Sequence, residues 1–377
     1  MNIKFFRPGF SSVTTLVVLC FLVLSIETYS QILPFDSERW EIAARESKVI
    51  EHLGRKALYL KGGKATVKNS EFRNGIIEFD IAFTPERGFM GAFWRLQDPG
   101  NYEEFYVRPH QSGLPDANQY QPLFNGVAGW QLYHGEEYST PFNYDFEKWM
   151  RIKIVVSGKN AEIYIKDMEK PLLFVSELKR PEKTGKVGLV VSNFAPSYFS
   201  NFSFTLIKSP KLKGTVRTPK PIPLGTVMNW DVSNPIDAKS LEKKYQLNKT
   251  DKDRISWKRI AVENGGFVNL ARLSGRDDNR DTVFAKLLIR SDRKQIKKFK
   301  FGYSDIAKVY LNDRLIYGGS NMYQSRDYRY LGTIGLFDEI YLPLEKGDNE
   351  LLIAVTENFG GWGVTALFDD MTGIVVR

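Results

Sequence analysis

The chain has 377 residues, which is more than one ordinary hydrophobic core holds, so its length favours two domains. Its net charge of +9 is mild for this length, the basic residues are spread out, and no nucleic-acid-binding motif accompanies them. The composition therefore argues against a DNA- or RNA-binding protein, while it permits contact with acidic polysaccharides or an anionic surface. Aromatic residues make up 14% of the chain, which core packing or sugar-stacking surfaces would explain.

The first 30 residues have the pattern of an export signal. Lys4 and Arg7 precede an apolar run over residues 13–26, and Ser30 is a small residue at the end of the segment. Because the run is short for a membrane span, we expect a signal peptide over residues 1–30. An uncleaved N-terminal anchor is the alternative.

The single cysteine, Cys20, lies inside this apolar run, without the preceding small residues of a lipoprotein signal. The mature chain would therefore contain no thiol and no disulfide. Exported animal proteins of this size usually carry disulfides. We expect a bacterial protein that is periplasmic, on the cell surface or secreted, with no membrane span after signal cleavage. Its oligomeric state is not predicted.

From about residue 57 the sequence is a succession of short strands. Residues 149–156 alternate apolar and polar side chains, the period of a strand with one buried face. Gly62-Gly63 predicts a hairpin turn between two strand-sized pieces. Strands are predicted at residues 57–61, 64–68, 76–83, 91–97, 103–108, 149–156, 161–166, 185–192 and 202–207. Helix signals are nearly absent, which favours an antiparallel sandwich.

Residues 208–223 divide the chain. They contain four prolines and five basic residues, with no acidic and no aromatic residue. Proline favours extended backbone, so we predict a semi-rigid linker that serves as a solvated spacer. Beyond it, strands are predicted at residues 256–261, 266–271, 281–290, 297–303, 307–311, 314–317, 340–344, 350–356 and 364–368. Asn312-Asp313 is predicted as a tight turn.

The predicted fold class is therefore all-β, with two antiparallel β-sandwich (jelly-roll) domains in tandem at residues 31–207 and 224–377. The first resembles the concanavalin A-like or laminin G-like jelly roll. The residues that carry this likeness are 74–81, 149–154, 160–165 and 185–189. Relatives include lectins, glycan-recognition modules, laminarinase-type hydrolases and 3-keto-disaccharide hydrolase domains. The resemblance thus implies sugar binding or sugar processing.

The second domain resembles a galactose-binding-like jelly roll. The likeness is carried by residues 301–313, 326–332, 342–349 and 358–363. Trp362 stands between glycines on a predicted tight loop. If it is exposed, it would be a platform for a sugar ring; if it is buried, it would close the end of the barrel. Further residues of interest in this domain are Arg326, Asp327, Tyr328 and Glu357.

Laminarinase-type hydrolases carry three carboxylates along one strand, where alternation points them to one face. Here Glu78 and Asp80 supply two, but residues 82–84 hold no third glutamate. We therefore do not predict that active site, and we expect Glu78 and Asp80 on a solvated outer face.

The strongest candidate site lies in residues 89–135. If Phe105 faces the core, alternation places Glu104, Tyr106 and Arg108 together on the other face. Predicted strands at 91–97 and 130–134 would add Arg95 from the first and Gln131 and Tyr133 from the second to the same face. We expect the ligand-binding residues to be Arg95, Glu104, Tyr106, Arg108, Gln131 and Tyr133, together with Trp362 of the second domain.

This mixture of residue types suits a sugar. Aromatic rings stack on the apolar sugar face, and planar polar groups bind neighbouring hydroxyls. A salt-bridged sheet face, with Arg95 or Arg108 paired to Glu104, is the alternative. A hydrolase or lyase would also need a positioned acid or base, for which Glu104, His110 and His134 are the candidates. The loop at 109–124 is long for a hairpin, and we expect it to wall the concave face.

The sequence holds no zinc pattern, phosphate-binding loop or nucleophilic serine motif, so no cofactor is predicted. Residues 277–281 alternate oxygen ligands but lack the glycine and distal glutamate of a calcium loop, which favours a turn. Both of the jelly-roll folds that the chain resembles often hold a structural calcium ion, so the resemblance is compatible with one in this protein. The favoured function is glycan binding on the first sandwich. The alternatives are a glycoside hydrolase or lyase with its active site in that sandwich, and an adhesion or protein-interaction module without sugar chemistry.

Overall fold

The computed structural model describes Met1 and residues 31–253, 255–327 and 329–377, so the predicted export signal at 1–30 lies outside these ranges apart from Met1. Regular structure in the described residues is almost entirely β, and the named strands pair antiparallel. No helix in these ranges is long and apolar enough to cross a membrane. The predicted fold class, two antiparallel β-sandwiches in tandem, is confirmed.

The first unit is built from one 13-stranded sheet. Its strands are β1 (Trp40–His52), β2 (Arg55–Val67), β3 (Gly75–Ala82), β4 (Met90–Asp98), β5 (Asn101–Val107), β6 (Asn118–Phe124), β7 (Val127–Ala128), β8 (Ser139–Thr140), β9 (Met150–Ser157), β10 (Asn160–Ile165), β11 (Leu173–Val175), β12 (Lys186–Val191) and β13 (Ser197–Leu206). The main path runs β11-β10-β9-β3-β13-β2-β12-β4-β5-β6-β7, with β1 beside β2 and β8 beside β6.

This long sheet curls around a single core. Neighbouring strands place Ala65, Leu189, Ala92, Phe105 and Tyr120 in one row, and all five side chains are buried in that core. The other half of the sheet supplies the buried aliphatic and aromatic residues of β3 and β9 to the same core. Because successive side chains of a strand point to opposite faces, the residues flanking this row form the outer face of the unit.

The second unit has a 7-stranded and a 4-stranded sheet, in the orders β15-β14-β17-β22-β19-β20, with β24 beside β17, and β16-β23-β18-β21. The strands are β14 (Asn229–Ser233), β15 (Trp257–Ala261), β16 (Phe267–Asn269), β17 (Thr282–Ser291), β18 (Gln295–Ser304), β19 (Ile306–Leu311), β20 (Arg314–Ser320), β21 (Asp338–Leu344), β22 (Gly347–Thr356), β23 (Gly363–Phe368) and β24 (Ile374–Val376). A core that includes Trp230, Phe301 and Trp362 lies between the sheets.

Short helical turns accompany the strands. They are α1 (Lys249–Lys252) and 3-10 turns at Pro109–Gln111, Ala238–Leu241 and Leu270–Arg272. The two units also pack on each other. Phe124 and Val127 of the first unit lie in the core of the second, and Ile334 of the second lies in the core of the first.

The hairpin predicted at Gly62-Gly63 is wrong. β2 runs through both glycines, and the turn to β1 lies at Leu53-Gly54, where both residues have positive φ. Gly62 and Gly63 also have positive φ, and the β1–β2 pairing is interrupted at Arg45 and Gly62 without a change of register. A side chain at Gly63 would stand 2.2 Å from the Ala43 carbonyl oxygen. The glycines therefore allow β2 to lie close against β1 at this point. The turn predicted at Asn312-Asp313 is observed.

The segment at 208–223 is exposed over much of its length, but it is attached to the first unit. The backbone N–H groups of Lys213 and Gly214 both donate to Glu162 Oε1, which is buried on β10. The Arg217 N–H donates to Ser176 Oγ at 3.0 Å. The segment is thus solvated over most of its length, and a buried carboxylate also holds it to the first unit at Lys213 and Gly214.

The surroundings of β5 also differ from the prediction. The neighbour of β5 is β6, within the segment predicted as a loop, while residues 130–134 form a turn. Pro122 obscured β6, because proline is rare inside strands. The Tyr120 N–H points away from β5 and donates to Tyr138 O. Backbone nitrogens two residues apart on a strand point to the same side, so the Pro122 nitrogen also faces away from β5. The missing N–H of Pro122 therefore removes no hydrogen bond between β5 and β6.

Candidate functional site

A cavity of about 340 Å³ lies where the outer face of the first unit meets two loops of the second. Its floor is the outer row of β5, and its roof is formed by Tyr323, Leu331 and Phe359. Ligand sites commonly have volumes of ~300–1,000 Å³ and lie between domains. This cavity is therefore the candidate site in the described residues.

Strand alternation builds the floor. Phe105 points into the core, and Tyr102, Glu104 and Tyr106 point into the cavity. Arg108 follows at the end of the strand and lines the same cavity. The expected grouping of Glu104, Tyr106 and Arg108 is thus what the structure shows. His110, in the 3-10 turn after β5, also lines the cavity.

Glu104 is 7% exposed, and the Gln121 side-chain amide donates a hydrogen bond to its carboxylate at 2.5 Å. Burial raises the pKa of Glu104, although Gln121, Lys64 and Tyr102 partly oppose that shift. A carboxyl group of this kind holds its proton more strongly than an exposed one. The other amide atom, Gln121 Oε1, is buried and has no hydrogen-bond partner.

Arg108 is held in place by three neighbours. Its guanidinium donates to Tyr106 Oη at 2.9 Å, to the Asp116 carbonyl oxygen at 2.7 Å, and to Gln119 Oε1. The Gln119 amide in turn donates to the Trp130 carbonyl oxygen at 2.9 Å. This chain of bonds holds the backbone at Trp130, whose ring centroid lies 6.0 Å from the guanidinium carbon of Arg108.

Trp130 forms the boundary between floor and roof. Its ring meets Phe359 edge-on at 5.7 Å and Tyr323 at 6.3 Å, and it remains partly exposed to the cavity. Alternation along the predicted strand at 130–134 would put Trp130 on the face opposite Gln131 and Tyr133, but these residues form a turn. The signal that could have identified it was a tryptophan directly after Gly129 in the candidate stretch.

Arg95 does not belong to this site. The register of β4 shifts after Trp94, and Arg95 adopts a positive φ of 52°, so both side chains turn inward. The guanidinium is 1% exposed and lies 3.2 Å from Glu103, which is fully buried. The strand phase was correct up to Trp94, and the bulge reversed it for the next residue.

Gln131 and Tyr133 also lie outside the cavity, since the turn points them at the second unit. Tyr133 Oη lies 3.0 Å from Glu263 Oε1 and accepts a bond from Asn269 at 3.1 Å. His134 is exposed and does not line the cavity. Trp362 is fully buried in the second core, and its indole N–H donates to Val355 O at 3.0 Å. It is therefore no sugar platform.

All four polar groups of Gln131 bind the second unit. Its backbone N–H donates to Gly360 O, and its carbonyl oxygen accepts from Ile334 N, each at 3.0 Å. The side-chain oxygen accepts from Ser304 Oγ, and the side-chain nitrogen donates to Leu331 O, each at 2.9 Å. Gln131 therefore hydrogen-bonds to both loops that form the roof, at Leu331 and at Gly360, and links them to the first unit.

Replacing Gln131 with alanine is expected to lower the unfolding free energy by about 2–3 kcal/mol, because the buried Ser304 Oγ and the part-buried Leu331 O would both lose a hydrogen bond. Urea denaturation measures the change. Gln97→Ala, which removes an exposed amide from the same unit, is the control and should change stability by less than ~0.5 kcal/mol. Equal effects of the two substitutions would contradict the linking role.

The roof loops rest on a pair of buried acids. Asp305 Oδ2 accepts from the backbone N–H groups of Asn358 at 2.8 Å and Phe359 at 2.6 Å. The Asp305 carbonyl oxygen accepts from Asn321 N at 2.6 Å, so Asp305 supports both loops. Burial raises the pKa of Asp305 to about 6, and burial together with the charge of Asp305 raises that of Glu357 well above its usual range.

This arrangement predicts a pH dependence. An acid with a raised pKa binds its proton more strongly in the folded state, so its contribution to unfolding free energy falls as the pH rises from about 4 to about 6. We expect Asp305→Asn to remove a decrease on the order of 2 kcal/mol over that interval. Urea denaturation at several pH values measures it, with Asp348→Asn, at an exposed position, as the control. Parallel pH profiles for Asp305→Asn and the unmodified protein would count against this prediction.

Within the described residues, no group of three or more His, Cys, Asp or Glu side chains could hold a metal ion. Asp277 pairs with Arg280 in a turn, as the sequence favoured.

No protein-family model and no curated protein matches the chain. Solved structures show distant similarity. The carbohydrate-binding module CBM66 from Bacillus subtilis is 17% identical, with a TM-score of 0.34, and 44% of this chain aligns with 94% of that one. A Bacillus licheniformis β-glucanase is 13% identical, with a TM-score of 0.34, and 47% of this chain aligns with 98% of that one. A B. subtilis protein of unknown function with a galectin-like fold is 12% identical, with a TM-score of 0.36, and 47% of this chain aligns with 94% of that one. Similarity at this level carries no conclusion about activity.

Proposed function

We propose that the protein binds a carbohydrate in the cavity between its two units. The observation that carries the proposal is the lining itself, in which a few fixed polar groups lie between aromatic rings. Trp130 and Tyr106 offer rings to the apolar face of a sugar, and Glu104, Gln121 and Arg108 offer planar polar groups to its hydroxyls. Export, predicted from residues 1–30, is part of this proposal.

Two unsatisfied atoms support it. Gln121 Oε1 and His110 Nδ1 are buried and have no hydrogen-bond partner in the protein. Buried polar atoms almost always have one, so two unsatisfied atoms on residues that line the cavity are consistent with partners supplied by a ligand. Sugar hydroxyls can donate to the first and bond to the second.

A glycan array followed by calorimetric titration of the best oligosaccharide tests the proposal. We expect saturable binding at one site per chain, accompanied by a higher unfolding temperature, because a ligand that binds only the folded state stabilises it. The absence of binding to any oligosaccharide would refute the proposal.

A glycoside hydrolase is the second candidate, and the raised pKa of Glu104 is what favours it. A carboxyl group whose pKa is raised by burial is suited to protonate a leaving oxygen. If Glu104 is that acid, Glu104→Gln should lower turnover of the bound oligosaccharide at least ~100-fold, while its affinity changes little. Release of reducing ends measures turnover. If the unmodified protein releases none, the hydrolase candidate fails and the binding function stands.

A further inference from the structure

The mouth of the cavity carries positive charge next to aromatic rings. Arg87 is exposed on the loop between β3 and β4 and lines the cavity. The carbon at the centre of its guanidinium lies 4.9 Å from the ring centroid of Phe194, which is 53% exposed. The neighbouring acid Glu86 accepts a hydrogen bond from Thr84 instead. No described carboxylate lies within 4.0 Å of the Arg87 guanidinium.

A second guanidinium converges on the same place. Phe89 lies at the centre of the mouth, where its ring meets His110 at 5.4 Å and Phe194 at 5.9 Å. The Arg108 guanidinium carbon lies 5.8 Å from the Phe89 ring. His110, Arg87 and Arg108 therefore all lie against the adjoining rings of Phe89 and Phe194. Burial lowers the pKa of His110, and the charges of these two arginines lower it further.

The acids of the cavity do not neutralise this charge. Asp116 lies 3.7 Å from Arg108, so it offsets that arginine and leaves Arg87 uncompensated. Glu104 is bound by Gln121, its pKa is raised by burial, and the charge it does carry is opposed by Lys64. A positive potential thus remains at the mouth, beside exposed rings and the unpartnered Nδ1 of His110.

We propose that the mouth formed by Arg87, His110 and Phe194 is a subsite for the anionic group of an acidic sugar, namely a uronate carboxylate or a sugar sulfate. The inference rests on the proposed function and names its ligand class. The Phe194 and Phe89 rings contact the apolar face of the sugar, and its anionic oxygens accept hydrogen bonds from Arg87 and His110. Carboxylate and sulfate oxygens both match the planar donors of a guanidinium.

Uronate trimers of defined linkage test this subsite on the whole protein. Each is titrated beside its carboxyl-reduced form, which has the same backbone without the charge, and beside that neutral form carrying one sulfate. We expect at least one of the charged forms to bind on the order of 10-fold more tightly than the neutral one, because charge-assisted hydrogen bonds are stronger than neutral ones. The preference should weaken as salt rises. Comparison of the carboxylate and sulfate arms identifies the anionic group.

Arg87→Gln should abolish this preference, while Arg290→Gln, at an exposed position on β17, should keep it. Bound anion should also raise the pKa of His110, which NMR resolves among three histidines. Equal binding of charged and neutral trimers, or a preference that survives Arg87→Gln, would overturn the subsite while sugar binding stands. If no trimer of either kind binds, the subsite falls, and the proposed function is decided separately by the glycan array.

Discussion

Replacing Arg95 with methionine is expected to lower the free energy of unfolding by about 3–5 kcal/mol, because it removes one partner of a buried ion pair. Arg95 donates to Arg73 O, to Asn74 Oδ1 and to Gly158 O, and it pairs with Glu103. Methionine fills part of the same space but offers none of these bonds.

The reason for the large effect is the carboxylate left behind. Glu103 is fully buried, and burial already raises its pKa, with the charge of Arg95 as the largest opposing influence. Without Arg95, the Tyr120 hydroxyl at 2.9 Å and the Arg180 N–H at 3.3 Å are its remaining partners. The carboxyl would then hold a proton to a higher pH, so the variant should lose more stability at pH 7 than at pH 5.

Urea denaturation measures this loss, and Arg151→Met is the matched control. Arg151 also pairs with a glutamate on the same sheet, at 2.9 Å, but its side chain is 48% exposed. Exposed pairs contribute ~0–1 kcal/mol, so the control should change little. A loss below ~1 kcal/mol for Arg95→Met would contradict the structural role of the buried ion pair. Impaired glycan binding in a folded Arg95→Met variant would indicate that Arg95 belongs to the binding site.

The second large effect is expected at Trp130. Trp130→Ala should weaken binding of the best oligosaccharide by about 30-fold, equivalent to ~2 kcal/mol, because a tryptophan that a ligand covers at the centre of an interface commonly contributes that much. The Arg108–Gln119 chain of hydrogen bonds holds the Trp130 backbone, and the ring packs edge-on against Phe359 and Tyr323, so it is preorganised for stacking. Trp130→Phe should recover part of the affinity.

Calorimetric titration measures this loss, and thermal unfolding shows whether the variant is folded. Trp149→Ala serves as the control, since Trp149 is also partly exposed on the first unit but does not line the cavity. If Trp130→Ala and Trp149→Ala bind the oligosaccharide as the unmodified protein does, the ligand lies elsewhere.

Local patterns predicted much of the fold. The alternation at 149–156 corresponds to β9, and the Asn312-Asp313 turn joins β19 to β20, since both depend on neighbours in sequence. Alternation also placed Glu104, Tyr106 and Arg108 together, because β5 is regular from Asn101 to Val107. Where periodicity was unbroken, the phase of the side chains followed from the sequence.

The remainder depended on features without a local signal. A bulge turned Arg95 inward, and Pro122 concealed β6 beside β5. Gln131 is fixed by contacts with Leu331, 200 residues away, which no local pattern reports. The roof of the cavity is contributed wholly by the second unit, so the site is completed only by tertiary packing.

A crystal structure of the protein with its best oligosaccharide tests most directly whether the interdomain cavity is the binding site. We expect a sugar ring against Trp130, with hydroxyls within hydrogen-bond distance of Glu104 and Gln121 and beneath Phe359 of the second unit. A sugar bound on another surface, with Trp130 and Glu104 uncontacted, would contradict the proposed site.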